Sequence, residues 1–265
     1  MNTYTGPVRR RAYGRGHRYE DANGLKVPGV TTILSDGIPK PALINWAANA
    51  TAEAAVDRWD ELAALPPSKR LTALQKARYA DRDTAANRGT EVHALAERYL
   101  QGEQIEIPDA VAGHVESYIA FVDDWAPTPV LVEAVVVSHT HGYAGTLDAV
   151  VDLPGHGRAL IDIKTSRSGI FGETALQMAA YRYADVYVDL DGAEQPMPAV
   201  DAVFGLHIRA DGYSLHPITA GPAEHRTFLY AQQVAHFTTT GSKELVSAPL
   251  APPRQVRRRR LEEVP

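Results

Sequence analysis

Apolar residues recur along this chain first three and four apart and then two apart, and the switch separates a helical first part from a β-rich centre. Ahead of both, Asn23-Gly24 marks a turn, and the β-branched run Val30–Leu34 predicts a strand. From Pro41 to about Gly102 the pattern is helical, rich in alanine and leucine and interrupted at Pro66-Pro67. Ser68 is placed to cap the helix after that break, and Asp83 or Thr84 to open the next, with Val92, Leu95, Ala96, Tyr99 and Leu100 on one stripe. A further helix, Asp109–Trp125, ends before Pro127 and Pro129.

Period two then takes over with a strand Val130–Ser138. The apolar runs Tyr143–Leu153 and Ala159–Ile163 follow, joined by Pro154-Gly155 and Gly157 into a hairpin. A helix Glu173–Val188 is apolar on most sides. Val200–Ile208 reads as a central strand, Gly212–Ile218 as its hairpin partner, Ala223–Phe237 as a last helix, and the residues from Thr238 as a tail. The order predicts an α/β domain with a mixed central sheet flanked by helices and an N-terminal helical subdomain. In these terms residues 1–26 are a basic arm, 27–238 a single domain with its helical part at about 40–126 and its core at about 127–238, and 239–265 a tail.

The polar positions inside the hairpin stand out against this pattern. Asp148 falls in its first strand, Asp162 in its second, and Lys164 two residues later. Strand side chains alternate, so Asp162 and Lys164 share a face while Ile161, Ile163 and Thr165 take the other. Aspartate is depleted in strands and lysine is rarely buried, so this face is either solvated, with Asp152 beside Asp148, or a site of chemistry. As chemistry, hard carboxylate ligands suit Mg²⁺ or Mn²⁺, and a lysine beside the metal can orient or deprotonate an attacking water. Phosphodiester hydrolysis is the reaction such a set fits. His93 and Glu97, four residues apart, are neighbours on one helix, beside its apolar stripe rather than opposite it. His139 and His141 alternate, but with no further ligand nearby in sequence they read as loop residues.

Composition narrows the setting. With 45% hydrophobic and 22% charged residues the chain is globular. It has no cysteine, which excludes disulfides, thiolate zinc sites and a cysteine-bound iron–sulfur cluster. No apolar run approaches the roughly 18 residues that span a bilayer, and no signal-peptide core is evident, so a soluble cytoplasmic protein is expected. The net charge of −5 does not point to a polyanion, but arginines crowd both ends: Arg9, Arg10, Arg11, Arg15 and Arg18, then Arg254 and Arg257–Arg260. Such segments hold a phosphate backbone or merely keep a terminus soluble.

The segments GTLDAVVD, LIDIKTS and Gln177-Met-Ala-Ala-Tyr181, preceded by GTEVHALAE and by VPGVTTIL, occur in an order that resembles the PD-(D/E)XK nuclease superfamily. Within it the chain is most similar to the RecB-type exonuclease branch, over roughly Val27 to Tyr187. Leu147 stands where the superfamily's name has proline. The resemblance implies a restriction-endonuclease-like core in which His93, Asp148, Asp162 and the backbone carbonyl of Ile163 hold Mg²⁺ or Mn²⁺ while Lys164 is the catalytic lysine. It further implies that Gln177 and Tyr181 face the active site and the DNA backbone, with Glu97 and Glu133 as outer partners. Thr165 and Ser166, together with Arg257, Arg258, Arg259 and Arg260, are candidates to contact DNA. The implied activity is that of a deoxyribonuclease without an iron–sulfur cluster, an exonuclease of phage DNA recombination or replication acting in the bacterial host cytoplasm. It would work beside a recombinase or annealing protein or a helicase, since no GxxxxGK[ST] loop is present. An endonuclease on the same core and a non-catalytic DNA-binding or assembly protein are the alternatives.

Overall fold

The computed structural model describes residues 4–14 and 16–251, and among these the side chains of all but 80–85 and 244. Arg15, Arg254 and Arg257–Arg260 lie outside the described residues. The basic N-terminal segment does not fold alone. Its strands β1 (Arg9–Tyr13), β2 (Gly16–Glu20) and β3 (Lys26–Val27) form a small antiparallel sheet, anchored by buried Val8, Tyr19 and Val27 packing on Val137 and Ala144.

Val30–Leu34 is helical, not extended: helix α1 (Val30–Gly37) buries Val30, Ile33 and Leu34, the spacing of one helix face. Helices α2 (Pro41–Asp57) and α3 (Trp59–Ala63) follow. The Pro66-Pro67 break is real, but Pro66 itself is the N-cap of α4 (Pro67–Leu100) and Pro67 occupies the first helical position, which its fixed φ suits, so Ser68 caps nothing. Asp83 and Thr84 open no new helix either, because α4 runs through them without a breaker residue. A 3₁₀ turn at Asp109–Val111 leads into α5 (Ala112–Trp125), closed by Ala126 at φ 44° ahead of Pro127.

The strand predicted at Val130–Ser138 is two strands, β4 (Thr128–Val132) and β5 (Val135–Ser138), and the run Tyr143–Leu153 likewise divides into β6 (Tyr143–Thr146) and β7 (Ala149–Leu153). The two halves keep one register: Val132 faces Ala149, Glu133 N–H bonds to the Asp148 carbonyl, Leu147 N–H to the Ala134 carbonyl, and Val135 faces Thr146. They form one long antiparallel hairpin with a kink that carries it from one sheet into another. Beyond the Pro154–Gly157 turn comes β8 (Gly157–Lys164).

Helix α6 (Glu173–Arg182) ends earlier than expected, since the β-branched Val186 and Val188 with Tyr187 form strand β9 (Val186–Val188) on the free edge of β5. Strand β10 (Glu194–Pro196) pairs with β9 and was not foreseen. Strands β11 (Ala202–Arg209) and β12 (Gly212–Pro217) are a hairpin as expected, and α7 (Pro222–Thr239) continues into a short 3₁₀ turn, so the tail does not start at Thr238.

Strand orders are β12-β11-β8-β7-β4 in a mixed five-stranded sheet, whose β11 and β8 run parallel, and β10-β9-β5-β6 in a four-stranded sheet. The larger sheet lies between two helical layers. Val150 and Leu160 pack with Met178 of α6 and Phe228 of α7 on one face, while Val151, Ile161 and Ile163 pack with Ala96 of α4 and Tyr118 and Phe121 of α5 on the other. The C-terminal part of α4 and all of α5 are therefore a layer of this sandwich, while α2 buries no residue at all.

Candidate metal centre

Alternation along β8 puts Asp162 and Lys164 on the α6 side, as the period-two reading requires. Asp162 is buried, 2% exposed, and its Oδ2 meets the Lys164 ammonium at 2.6 Å. No aligned hydrogen-bond donor reaches that oxygen among the described residues. Gln177, in the middle of α6, ties the pair together. Its Oε1 accepts from Lys164 Nζ at 3.2 Å, and its Nε2 donates to Asp162 Oδ1 at 2.9 Å and to the Tyr181 hydroxyl at 3.2 Å. The amide orientation follows from these partners, because a lysine ammonium can only donate.

Asp148 does not sit inside a strand; it occupies the kink between β6 and β7. It therefore parts company with Asp152, which is exposed and paired with Arg158 at 2.9 Å. The kink turns the Asp148 carboxylate toward β8, where Oδ2 accepts the Ile163 N–H at 2.6 Å, while Oδ1 lies 3.5 Å from Nδ1 of His93 on α4. Glu133 occupies the matching kink on the facing strand with φ 47°, and His93, Glu133 and Asp148 bring one ligand atom each within 4.8 Å of one another. Glu133, expected as an outer partner, thus joins His93 and Asp148 in a trio that could hold a metal ion. Asp162 stands outside that trio, held by Lys164 and Gln177. Ile163 lines the same cleft, and it is its N–H that touches Asp148.

The electrostatics record the crowding. Burial and the Asp148 charge push Glu133 up to about 7. Burial disfavours the His93 imidazolium, but Asp148, Asp162 and Glu133 outweigh it and hold the ring near 9. Asp148 is lowered although buried, by His93, the Ile163 N–H and Lys164, whereas burial and the Asp148 charge raise Asp162 despite Lys164. Two carboxylates facing each other across a kink and a histidine nitrogen, with the Lys164-paired Asp162 carboxylate beside them, form a donor set that fits Mg²⁺ or Mn²⁺.

All these groups line one cleft of about 520 Å³. Glu97 lines it too, but no hydrogen bond joins it to His93 among the described residues. Thr165 lies close under α4, where a Cβ at Gly89 would stand 3.1 Å from its Oγ1, and Ser166 Oγ donates to the Gly169 carbonyl at 2.9 Å, closing the turn after β8.

Several residues in and around the cleft escape a reading of the sequence. His207 pairs in register with Lys164 across β11 and β8; its Nε2 donates to the Ser166 carbonyl at 2.8 Å while Nδ1 accepts from Arg209 at 3.3 Å, so it fixes the turn that carries Thr165 and Ser166. A buried histidine in an apolar strand was the available signal. Arg10, His17 and Tyr19 of the β1–β2 hairpin form another wall. His139 pairs with Glu194 at 3.0 Å, and His141 packs edge-on against His225, away from the cleft.

Among the described residues no helix is long and apolar enough to cross a membrane. No family model matches the chain, and no curated protein shows significant similarity to it.

Proposed function

We propose that the chain is a Mg²⁺- or Mn²⁺-dependent deoxyribonuclease with a restriction-endonuclease-like core, an exonuclease serving phage-type recombination or replication in the cytoplasm beside a recombinase, annealing protein or helicase. One observation carries the reading. A lysine ammonium clamped by Asp162 and Gln177 shares a cleft with the His93, Glu133 and Asp148 trio. A solvated strand face has no use for a lysine so held, with a glutamine bonded to both it and its carboxylate.

His93, Glu133 and Asp148 would hold the ion, with the Asp162 carboxylate, paired to Lys164, lining the same cleft. When bound, the cation supplies Lewis acidity to a phosphate oxygen and offsets its charge. The Lys164 ammonium can orient the attacking water by a hydrogen bond and counter charge on the phosphate. Gln177 keeps that ammonium and the Asp162 carboxylate in place, and Tyr181 braces Gln177 from the core. Water adds to phosphorus as the bond to the 3′ oxygen breaks, leaving a 5′-phosphate and a 3′-hydroxyl.

The test is digestion of end-labelled single- and double-stranded DNA, linear and circular, with Mg²⁺, Mn²⁺ or chelator. Metal-dependent loss of label from linear DNA is expected, abolished in Lys164→Ala. A Lys164→Ala protein as fast as its parent overturns the assignment, and cleavage of circular but not linear DNA converts it to an endonuclease.

A further inference from the structure

The β1–β2 hairpin has two unlike faces. Arg10 pairs with Tyr19 and Ala12 with His17, which puts Arg10, His17 and Tyr19 on the side that lines the cleft. Arg9, Arg11 and Arg18 take the opposite side, and Arg11 lies directly across from Arg18. Like charges so placed repel, and only Arg18 has a carboxylate, Glu20 at 2.6 Å; Arg9 and Arg11 have no ion pair among the described residues. In a chain of net charge −5 this is a local cationic ridge on the outer face of the hairpin whose inner face lines the acidic site.

Arg10 is the arginine turned inward, and its position is built. Its Nη2 donates to His17 Nδ1 at 3.4 Å, so the ring proton is on Nε2, which donates to the Tyr19 hydroxyl at 3.1 Å; the phenol in turn meets Thr146 Oγ1 at 2.8 Å, on the strand that leads into Asp148. The other end of the guanidinium is 3.6 Å from Glu133, too long for a hydrogen bond, and the side chain stays 43% exposed. A group that served only as counter-ion to Glu133 would close that distance. The His17 contact uses one N–H of the guanidinium and leaves others on a half-exposed side chain that lines the cleft, and a guanidinium can take a phosphate in two parallel hydrogen bonds.

We propose that Arg10, positioned by His17 and Tyr19, binds a non-scissile phosphate of the DNA strand in the cleft. The identity of the ligand rests on the nuclease reading above. His17 is a positioning residue and Arg10 a binding residue.

The experiment measures binding of a fluorescein-labelled single-stranded oligonucleotide by anisotropy in Mn²⁺, on a Lys164→Ala background, across a series of salt concentrations. Arg10→Ala is expected to weaken binding roughly tenfold, the cost of a lost charge-assisted contact, and to lower the slope of log affinity against log salt by about 0.7. Arg10→Lys keeps the slope but recovers only part of the affinity, because the charge remains and the fork is lost. His17→Ala weakens binding with the slope unchanged, and His17→Asn, which can both accept and donate, restores it. Thermal melting of each variant identifies loss of folding. Wild-type affinity and slope in a folded Arg10→Ala protein overturn the proposal, as does loss of Mn²⁺ affinity with unchanged slope, the mark of a mere counter-ion. Digestion by the protein carrying Lys164 is followed in parallel. Cleavage with no Arg10 effect removes the phosphate contact alone, while Arg10-dependent binding without cleavage supports the contact and removes the nuclease reading.

Discussion

Glu133 donates its backbone N–H to the carbonyl of Asp148, 2.9 Å away, at the point where both strands of the long hairpin pass from one sheet into the other. The bond makes the two acids cross-strand neighbours, where like charges repel. Glu133 also holds φ 47°, a conformation that a side chain with a Cβ disfavours. Two local costs at one place, beside a histidine, support the cation site proposed above.

Glu133→Gln removes one of the facing charges and leaves the kink's hydrogen bond. The metal-free variant should melt a few degrees above the parent, since relief of about 1 kcal/mol moves the midpoint by roughly 2–4 °C in a domain this size. Its Mn²⁺ affinity should fall at least about tenfold. Calorimetric titration and melting in chelator check both, and an unchanged Mn²⁺ affinity would remove Glu133 from the ligand set.

The raised proton affinities of the same cluster set a pH dependence. His93 is held near 9 against an ordinary 6.5, and Glu133 near 7 against 4.5. The unfolded chain releases these protons earlier than the folded one, so the stability they lend is present below the ordinary values and is lost as pH rises through 7 and then 9. A cation displaces the same protons. Melting in chelator should therefore decline from pH 5 to pH 9, and the upward shift given by Mg²⁺ should widen over that window. A shift that stays constant or narrows with pH would show that the cation binds elsewhere.

Gln177 has three partners, Asp162, Lys164 and Tyr181, and no single one explains its place. Gln177→Ala leaves the ammonium without its second anchor and Asp162 with one donor fewer. Turnover should drop by roughly 10- to 100-fold, with a smaller change in KM, because the lysine is displaced rather than the strand released. Tyr181→Phe, which removes only the brace on Gln177, should cost less. If KM carries the whole effect, Gln177 is a DNA contact and not a holder of Lys164.

What a reader of the sequence could find in this site depended on whether period survived. It did along β8, so Asp162 and Lys164 were placed together correctly, and it did along the last turns of α4, so Val92, Leu95 and Ala96 were rightly read as the buried stripe that aims His93. It did not at Glu133 and Asp148. The residues on either side of each are apolar and extended, and no glycine or asparagine marks Glu133 as left-handed, so the kinks are invisible without their partner strands. Val30–Leu34 misled for a related reason. A five-residue β-branched run suits either structure, and only its contacts with α7 and the sheet decide. Arg10 is hidden more deeply, since its direction depends on the register of a hairpin that could slip by one residue and reverse every side chain.

Gly145 is the position where the sheet, the core and the site meet most tightly. A Cβ there would stand 2.4 Å from Tyr181 Cε1, 3.1 Å from Cδ1 and 3.3 Å from Val30 Cγ2, so Gly145→Ala must push the Tyr181 ring aside. That ring is 3% exposed and hydrogen-bonded through its hydroxyl to Gln177, so it cannot move without disturbing the Asp162 and Lys164 clamp. The substitution should destabilise by about 1–3 kcal/mol, the usual cost of overpacking a closed core, and lower turnover beyond what the fraction folded accounts for. Gly172→Ala is the matched comparison. A Cβ there meets nothing within 4 Å, the residue has φ −57°, and a shift within about 0.5 kcal/mol is expected. Melting curves and single-turnover digestion of labelled DNA decide the case. A Gly145→Ala protein that melts and cuts like Gly172→Ala would show that Tyr181 is not held where the site requires it.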